Sequence, residues 1–237
     1  MKITVITVCY NAAQTIEQTI LSVIHQTYSQ IEYIIVDGAS TDGTLDIIQK
    51  YQQYIACLIS EPDSGVYDAM NKGIRYASGD FILFLGADDI LYNNTVFQNL
   101  AAKMIDMNVV YYGNVIQLPS QKRYWGKFNK YKFGMGNICH QSIFYPRQVF
   151  NHDLFDTKYT VYADYVFNLR LYNTVRFVYI GEVIAYFDVR GISSRSVDVN
   201  FNKDKYRLII NYLGYVPLFC RGLYHGLVFL RNFFLRK

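Results

Sequence analysis

FILFLGADDI, residues 81–90, sets five apolar residues in a row, then Gly86 and Ala87, then two adjacent carboxylates, Asp88 and Asp89. Phe81 to Leu85 are apolar on both alternating faces and are bounded by Gly79-Asp80 and Gly86. That is the pattern of a strand buried on both sides. Two like charges just past its end repel each other and lose hydration, so a positive group should offset them. A plainer reading also fits the pair taken alone: a solvated turn leading into a helix capped by Asn93 or Asn94.

The flanking sequence repeats the theme. KITVITV (2–8), YIIVD (33–37), ACLISE (56–61) and VVYYG (109–113) read as further strands. Between them, Ile16, Ile20, Val23 and Ile24, then Leu45, Ile48 and Tyr51, then YDAMNKGIRYA (67–77) and TVFQNLAAKMI (95–105), recur at helical spacing. Alternating strands and helices predict an α/β fold with a mostly parallel central sheet flanked by helices. Right-handed crossovers then bring the loops after the strands to one rim, where ligands of open sheets bind. That rim collects Thr7 to Asn11, Asp37, Glu61 with Asp63, and Asp88 with Asp89. From about 114 to 200 the pattern loosens into aromatic-rich strands and turns, with a helix expected around Asp164 to Tyr172. The organisation read from this is an α/β half over 1–113, a second half of the same domain over 114–200, and a basic amphipathic tail over 201–237.

Composition sets outer bounds. With 237 residues, 51% hydrophobic and 18% charged, the chain can bury a substantial core. Four scattered cysteines without a C-x-x-C pair argue against a zinc knot or a disulfide scaffold and fit a reducing cytoplasm, and no secretory leader is visible. The 23 tyrosines suit carbohydrate or base stacking but equally ordinary packing, so they decide nothing. Net charge is +4, yet residues 203–237 carry seven Lys and Arg against one acid, which confines the basic character to the tail. In VPLFCRGLYHGLVFLRNFFLRK (216–237), Arg221, His225, Arg231, Asn232 and Arg236 fall on one side of a helical wheel and the large apolar residues on the other. Charge interrupts it too often to span a bilayer, and it is expected to lie on an anionic membrane surface or to pack on the domain. Nucleic acid is not an expected partner.

No G-x-G-x-x-G follows the first strand, where the sequence is VCYNAAQ, and no G-x-x-x-x-G-K-[ST] occurs. Dinucleotide and P-loop readings therefore lose their main support. A phosphate ligand would need another counter-charge, and Mg²⁺ or Mn²⁺ held by one or two carboxylates supplies it. Asp88 and Asp89 fit that role.

TVCYNAAQTIEQTILSVIHQTY (7–28), IIVDGASTDGTLDII (34–48), SEPDSGVYDAMNKGIRYASGDFILFLGADD (60–89), HQSIFY (140–145) and YADYVFNLRLY (162–172) together resemble the family-2 glycosyltransferases of the GT-A fold. The resemblance implies an inverting, metal-dependent transfer of a sugar from a nucleotide diphosphate sugar, with a UDP-sugar favoured, to a glycan or lipid-linked acceptor. It implies Asp89 as main ligand of Mn²⁺ or Mg²⁺, with Asp88 beside it nearer the ribose and diphosphate. Thr7, Tyr10, Asn11 and Asp37 would line the nucleotide pocket. Asp63, Asp68, Asn71 and Lys72 would face the donor, His140 would border the acceptor, and Asp164 would be the catalytic base. The implied setting is the inner face of a bacterial cytoplasmic membrane, in polysaccharide biosynthesis.

The chain also departs from the family. Gly38 stands where many members have a second carboxylate after strand two, and Gly86 where they have Asp or Asn two residues before the metal pair. Arg190-Gly191-Ile192-Ser193-Ser194 stands where many have GG-x-S. STDGT (40–44) reads equally as a helix start capped by Ser40 or Thr41. Two other functions stay open: nucleotidyl transfer to a sugar phosphate, and a non-catalytic membrane-bound scaffold of the same fold.

Overall fold

The computed structural model describes residues 1–124, 126–191 and 196–217. Its first half alternates as expected: β1 (Ile3–Cys9), α1 (Ile16–Ile24), β2 (Ile31–Asp37), α2 (Thr44–Gln49), β3 (Cys57–Ser60), α3 (Val66–Tyr76) and β4 (Phe81–Gly86). Then follow β5 (Ile90–Leu91), α4 (Val96–Ala101), β6 (Val110–Leu118), β7 (Lys122–Arg123), α5 (Lys130–Met135), β8 (Ile143–Pro146), α6 (Ala163–Leu171), β9 (Phe177–Asp188) and α7 (Val199–Leu213).

The strands join in the order β3-β2-β1-β4-β8-β6-β9-β5, with β7 paired to β6. The first four run parallel, and β8 enters antiparallel between β4 and β6. Register sets the rim. Cys9 pairs with Asp37, Asp37 with Ser60, and Val8 with Gly86, so the carboxyl ends of β1 to β4 finish level with one another. Each following loop leaves the sheet at the same edge.

Phe81 to Leu85 are fully buried, as continuous apolarity requires of a strand covered on both faces. Ile82 and Phe84 pack with α3 and α6 residues on one side, while Phe81, Leu83 and Leu85 pack with α1 and α4 residues on the other. Helix α3 buries Tyr67, Met70, Asn71 and Ile74, one stripe at helical spacing. Gly73 lets it sit close, since a Cβ there would lie 2.6 Å from Ile6 Cγ2.

Four local expectations are corrected. Asn93 does not cap α4; its side chain accepts from Thr95 N at 3.0 Å in a turn before the helix. That helix ends at Ala101, and the chain then turns so that Met104 is buried and Ile105 exposed. Ser40 and Thr41 do not cap α2, which starts after Gly43 at φ +92°. The expected boundary at 201 falls inside α7, whose Phe201, Leu208, Ile209 and Leu213 share the core with α6. The side chain of Asp198 caps this helix through Phe201 N at 2.8 Å, and its other oxygen accepts from Val161 N at 3.0 Å and Tyr162 N at 3.2 Å. One buried carboxylate thus ties α7 to the start of α6.

Candidate active site

Two loops clasp each other at the first end of the rim. The Asn11 side chain accepts from Thr41 N at 2.9 Å, while Asn11 N donates to Ser40 Oγ at 2.8 Å. Asp37 is buried, and its Oδ2 accepts from Ser40 N at 3.1 Å and Ser60 Oγ at 2.8 Å. Burial, with Asp37 alongside, pushes the Cys9 thiol far up, which makes it inert at neutral pH. Tyr10 is 66% exposed and stands beside Gly38, a flat face on open ground. Asp63 reaches over from the loop after β3, its Oδ1 accepting from Gly65 N at 2.8 Å.

The aspartate pair forms the centre. Asp89 is 1% exposed; its Oδ2 accepts from Gly86 N at 2.9 Å and its main-chain carbonyl from Thr19 Oγ1 at 2.8 Å. Asp89 Oδ1 is buried with no hydrogen-bond partner. Burial first, then the charge of Asp88, pushes the Asp89 carboxyl up to about 7. Loss of hydration raises Asp88 in the same direction, with Asp188 adding to it. Gly191 lies against this carboxyl, since a Cβ there would come 3.2 Å from Asp88 Oδ2.

Beyond the pair lies Asp164, at the first turn of α6 and 5% exposed. Its Oδ1 accepts from Tyr67 Oη at 2.8 Å and Tyr165 N at 2.8 Å, and its Oδ2 from Asn137 Nδ2 at 2.8 Å. His140 Nδ1 is 3.5 Å from Asp164 Oδ2. Burial opposes charge on this imidazole, but Asp164, Asp89 and Asp88 together outweigh it and raise its pKa. His140 therefore takes up a proton more readily than a free imidazole, and it faces the carboxylates that would offset that charge.

The structure thus places Tyr10, Asn11, Asp37, Asp63, Asp88, Asp89, His140 and Asp164 at or beside the carboxyl rim of the sheet, while four further expected residues are engaged by neighbouring groups. Thr7 is fully enclosed, its hydroxyl accepting from Tyr33 at 3.2 Å. Both ends of the Asn71 amide pair with Phe155, through its O at 2.8 Å and its N at 3.0 Å, latching α3 to the loop before α6. Asp68 accepts from Ser64 N at 3.0 Å at the start of α3. Lys72 donates to Pro62 O at 2.7 Å and pairs with Glu61 at 2.9 Å. Ile192 to Ser194 lie outside the described residues.

Sequence reasoning missed Tyr67 and Asn137, which bond Asp164, and Ser60, which bonds Asp37. Tyr67 carried a signal. It shares the buried stripe of α3 with Met70 and Ile74, and a buried tyrosine hydroxyl needs a partner.

A divalent cation fits the residues present. Among the described residues no group of three or more His, Cys, Asp or Glu is arranged to hold a metal ion. Yet the unpartnered Asp89 Oδ1, with Asp88 adjacent, offers the one or two carboxylates that Mg²⁺ or Mn²⁺ takes when phosphates complete its shell.

The pattern of Glycosyl transferase family 2 matches residues 4–174. A PGL/p-HBAD biosynthesis glycosyltransferase of Mycobacterium tuberculosis is 36% identical over 203 residues, covering 81% of this chain and 79% of the relative. Staphylococcus aureus TarS 1–349, solved with UDP-GlcNAc, superimposes with a TM-score of 0.74 at 22% identity, over 90% of this chain and 66% of that one. The mannosyltransferase PcManGT of Pyrobaculum calidifontis, solved with GDP-Man and Mn²⁺, gives 0.69 at 18% identity, over 93% and 72%. The fold is that of the GT-A glycosyltransferases.

Proposed function

The chain belongs to glycosyltransferase family 2, and from that premise we propose an inverting, metal-dependent enzyme that moves a sugar from a nucleotide diphosphate sugar to an acceptor hydroxyl. The observation that carries metal dependence is Asp89, a buried carboxylate with one oxygen unpartnered and its pKa pushed up to about 7. Such a group is unfavourable unless a ligand completes it. Mn²⁺ or Mg²⁺, held by Asp89 and Asp88, would neutralise charge on the departing diphosphate.

Inversion needs one base on the acceptor side, and Asp164 supplies it. The acceptor oxygen bonds to the anomeric carbon as the carbon–phosphate-oxygen bond breaks, the electron pair leaves with the diphosphate, and the acceptor proton passes to Asp164. Tyr67 and Asn137 fix that carboxylate, and His140 lies between it and the aspartate pair. Nucleotidyl transfer and the non-catalytic scaffold give way to the family assignment.

The mycobacterial relative is named for PGL/p-HBAD biosynthesis; the acceptor proposed here is a glycan or lipid-linked intermediate. No helix among the described residues is long and apolar enough to cross a membrane. Contact with the inner face of a cytoplasmic membrane rests on the charge pattern of residues 218–237, which lie outside the described residues. Purified protein incubated with a panel of nucleotide sugars, with and without Mn²⁺ or Mg²⁺, tests the reaction class through released nucleoside diphosphate. No release from any donor with either metal would refute the reading.

A further inference from the structure

Asn168 is fully buried on α6, one turn after Asp164 and beside the apolar Val166, Phe167 and Leu169. A leucine of similar size would serve packing there, and an amide is tolerated in such a place only when both of its ends are bonded. Both are. Asn168 Oδ1 accepts from Tyr145 Oη at 2.9 Å, and Asn168 Nδ2 donates to Asn137 Oδ1 at 2.9 Å. Asn137 Nδ2 in turn donates to Asp164 Oδ2 at 2.8 Å. A chain of side chains thus starts on β8, crosses α6 and the loop after α5, and ends on the carboxylate one turn before Asn168.

The end at Asp164 sets the direction of this chain. A carboxylate only accepts, so Asn137 must present its amino group there; its carbonyl then faces Asn168, which must present an amino group in turn, and Tyr145 must donate. Tyr145 suits that end. Burial first, then the charge of Asp164, raises its hydroxyl well above the ordinary tyrosine range, so it keeps the proton that it donates.

The two oxygens of Asp164 are held differently. Oδ1 accepts from Tyr67 on α3 and from Tyr165 N within α6. Oδ2, on the side of His140, accepts from Asn137, a half-buried residue of a loop. Tyr124 Oη holds the main-chain carbonyl of Asn137 at 3.1 Å, but among the described residues its side-chain carbonyl is held by Asn168 alone. Resting on the reading of Asp164 as the base, we infer that Asn168 is a positioning residue: it fixes the Asn137 amide, and through it the Asp164 oxygen beside His140, from a place where it touches no substrate.

Release of nucleoside diphosphate from UDP- and GDP-sugars with Mn²⁺ by the full chain tests this, with Asn168→Leu made both alone and together with Asp164→Asn. Alone, Asn168→Leu is expected to lower kcat by on the order of tenfold, less than Asp164→Asn does, with the donor KM unchanged. With Asp164→Asn already in place it should lower kcat no further, because its effect runs through that carboxylate. Thermal melting checks that the variants are folded. A folded Asn168→Leu with wild-type kcat, or equal falls in the two backgrounds, overturns the positioning role while leaving Asp164 as the base. Should Asn168→Leu not fold, Tyr145→Phe, which removes one oxygen, should show a smaller fall in the same comparison and move the side-chain amide NMR signals of both Asn168 and Asn137. An Asn137 signal that stays in place overturns the chain. Wild-type turnover in Asp164→Asn, or no release by the wild type itself, removes the base reading and this inference with it.

Discussion

Asp89→Asn is expected to do two opposite things: remove metal-dependent donor binding, and stabilise the metal-free protein as pH rises. The folded carboxyl titrates at about 7 because it is buried beside Asp88, against about 3.9 in an unfolded chain. A group raised in this way contributes stability that is fully present below the unfolded value and lost as pH rises through the folded one. Across the whole window the loss is about 4 kcal/mol, and between pH 5 and pH 8 it is about 2–3 kcal/mol. The amide carries its own penalty, because its Nδ2 inherits the unpartnered position of Oδ1. That penalty does not depend on pH, so it cancels when the two pH values are compared. For a chain of this size each kcal/mol moves the melting temperature by about 2–4 °C. Thermal unfolding with a chelator should therefore show the mutant-minus-wild-type difference growing by roughly 5–10 °C from pH 5 to pH 8. Mn²⁺ with nucleotide should then stabilise the wild type and not the mutant. A difference that stays constant with pH would show that Asp89 is not the titrating group. Unchanged metal-dependent affinity in the folded mutant would remove it from the site.

Asp164→Asn should keep donor affinity while transfer falls by about 10²–10⁴-fold, since the amide preserves shape but accepts no proton; near-wild-type turnover would put the base elsewhere, with Asp63 or His140 next to test. Asn71→Ala should destabilise the fold by about 2–4 kcal/mol in urea titration, because it orphans both the N–H and the carbonyl of buried Phe155; an unmoved midpoint would show that the latch does not hold α3 to the loop. Truncation after Pro217 should leave a folded protein that hydrolyses donor with Mn²⁺ and no longer sediments with anionic liposomes, while the full chain binds them less as salt rises. Equal liposome binding by both would sink the membrane proposal. The cut belongs there because one after Asn202 would strip Leu208, Ile209 and Leu213 from the core.

The rim was legible because strand ends can be read from local pattern. Apolar runs stop at Cys9, Asp37, Ser60 and Gly86, and parallel pairing in register does the rest. The loops and the second half were less legible, for a physical reason. Tyr67, Asn137 and His140 meet Asp164 across 97, 27 and 24 positions of chain, and no local periodicity encodes those meetings. Thr7 and Asn71 show the converse error. Each lies in a stretch that resembles the family, yet Thr7 turns into the sheet and Asn71 toward Phe155, because their places in β1 and α3 fix which way they point.

The two glycine departures, Gly38 and Gly86, look alike in sequence and differ in the fold. At Gly86 the glycine serves its own loop: Asp89 folds back three residues to accept from Gly86 N, and a Cβ would meet Asp89 Oδ2 at 2.8 Å and Asp88 Oδ1 at 3.0 Å. The missing side chain there lets the aspartate pair curl tightly over the end of β4. At Gly38 the neighbour comes from another loop, and the missing side chain makes room for a replacement of the same charge. A carboxylate lost at one position of a strand end can therefore return from the adjacent strand's loop, because parallel register holds those two loops side by side.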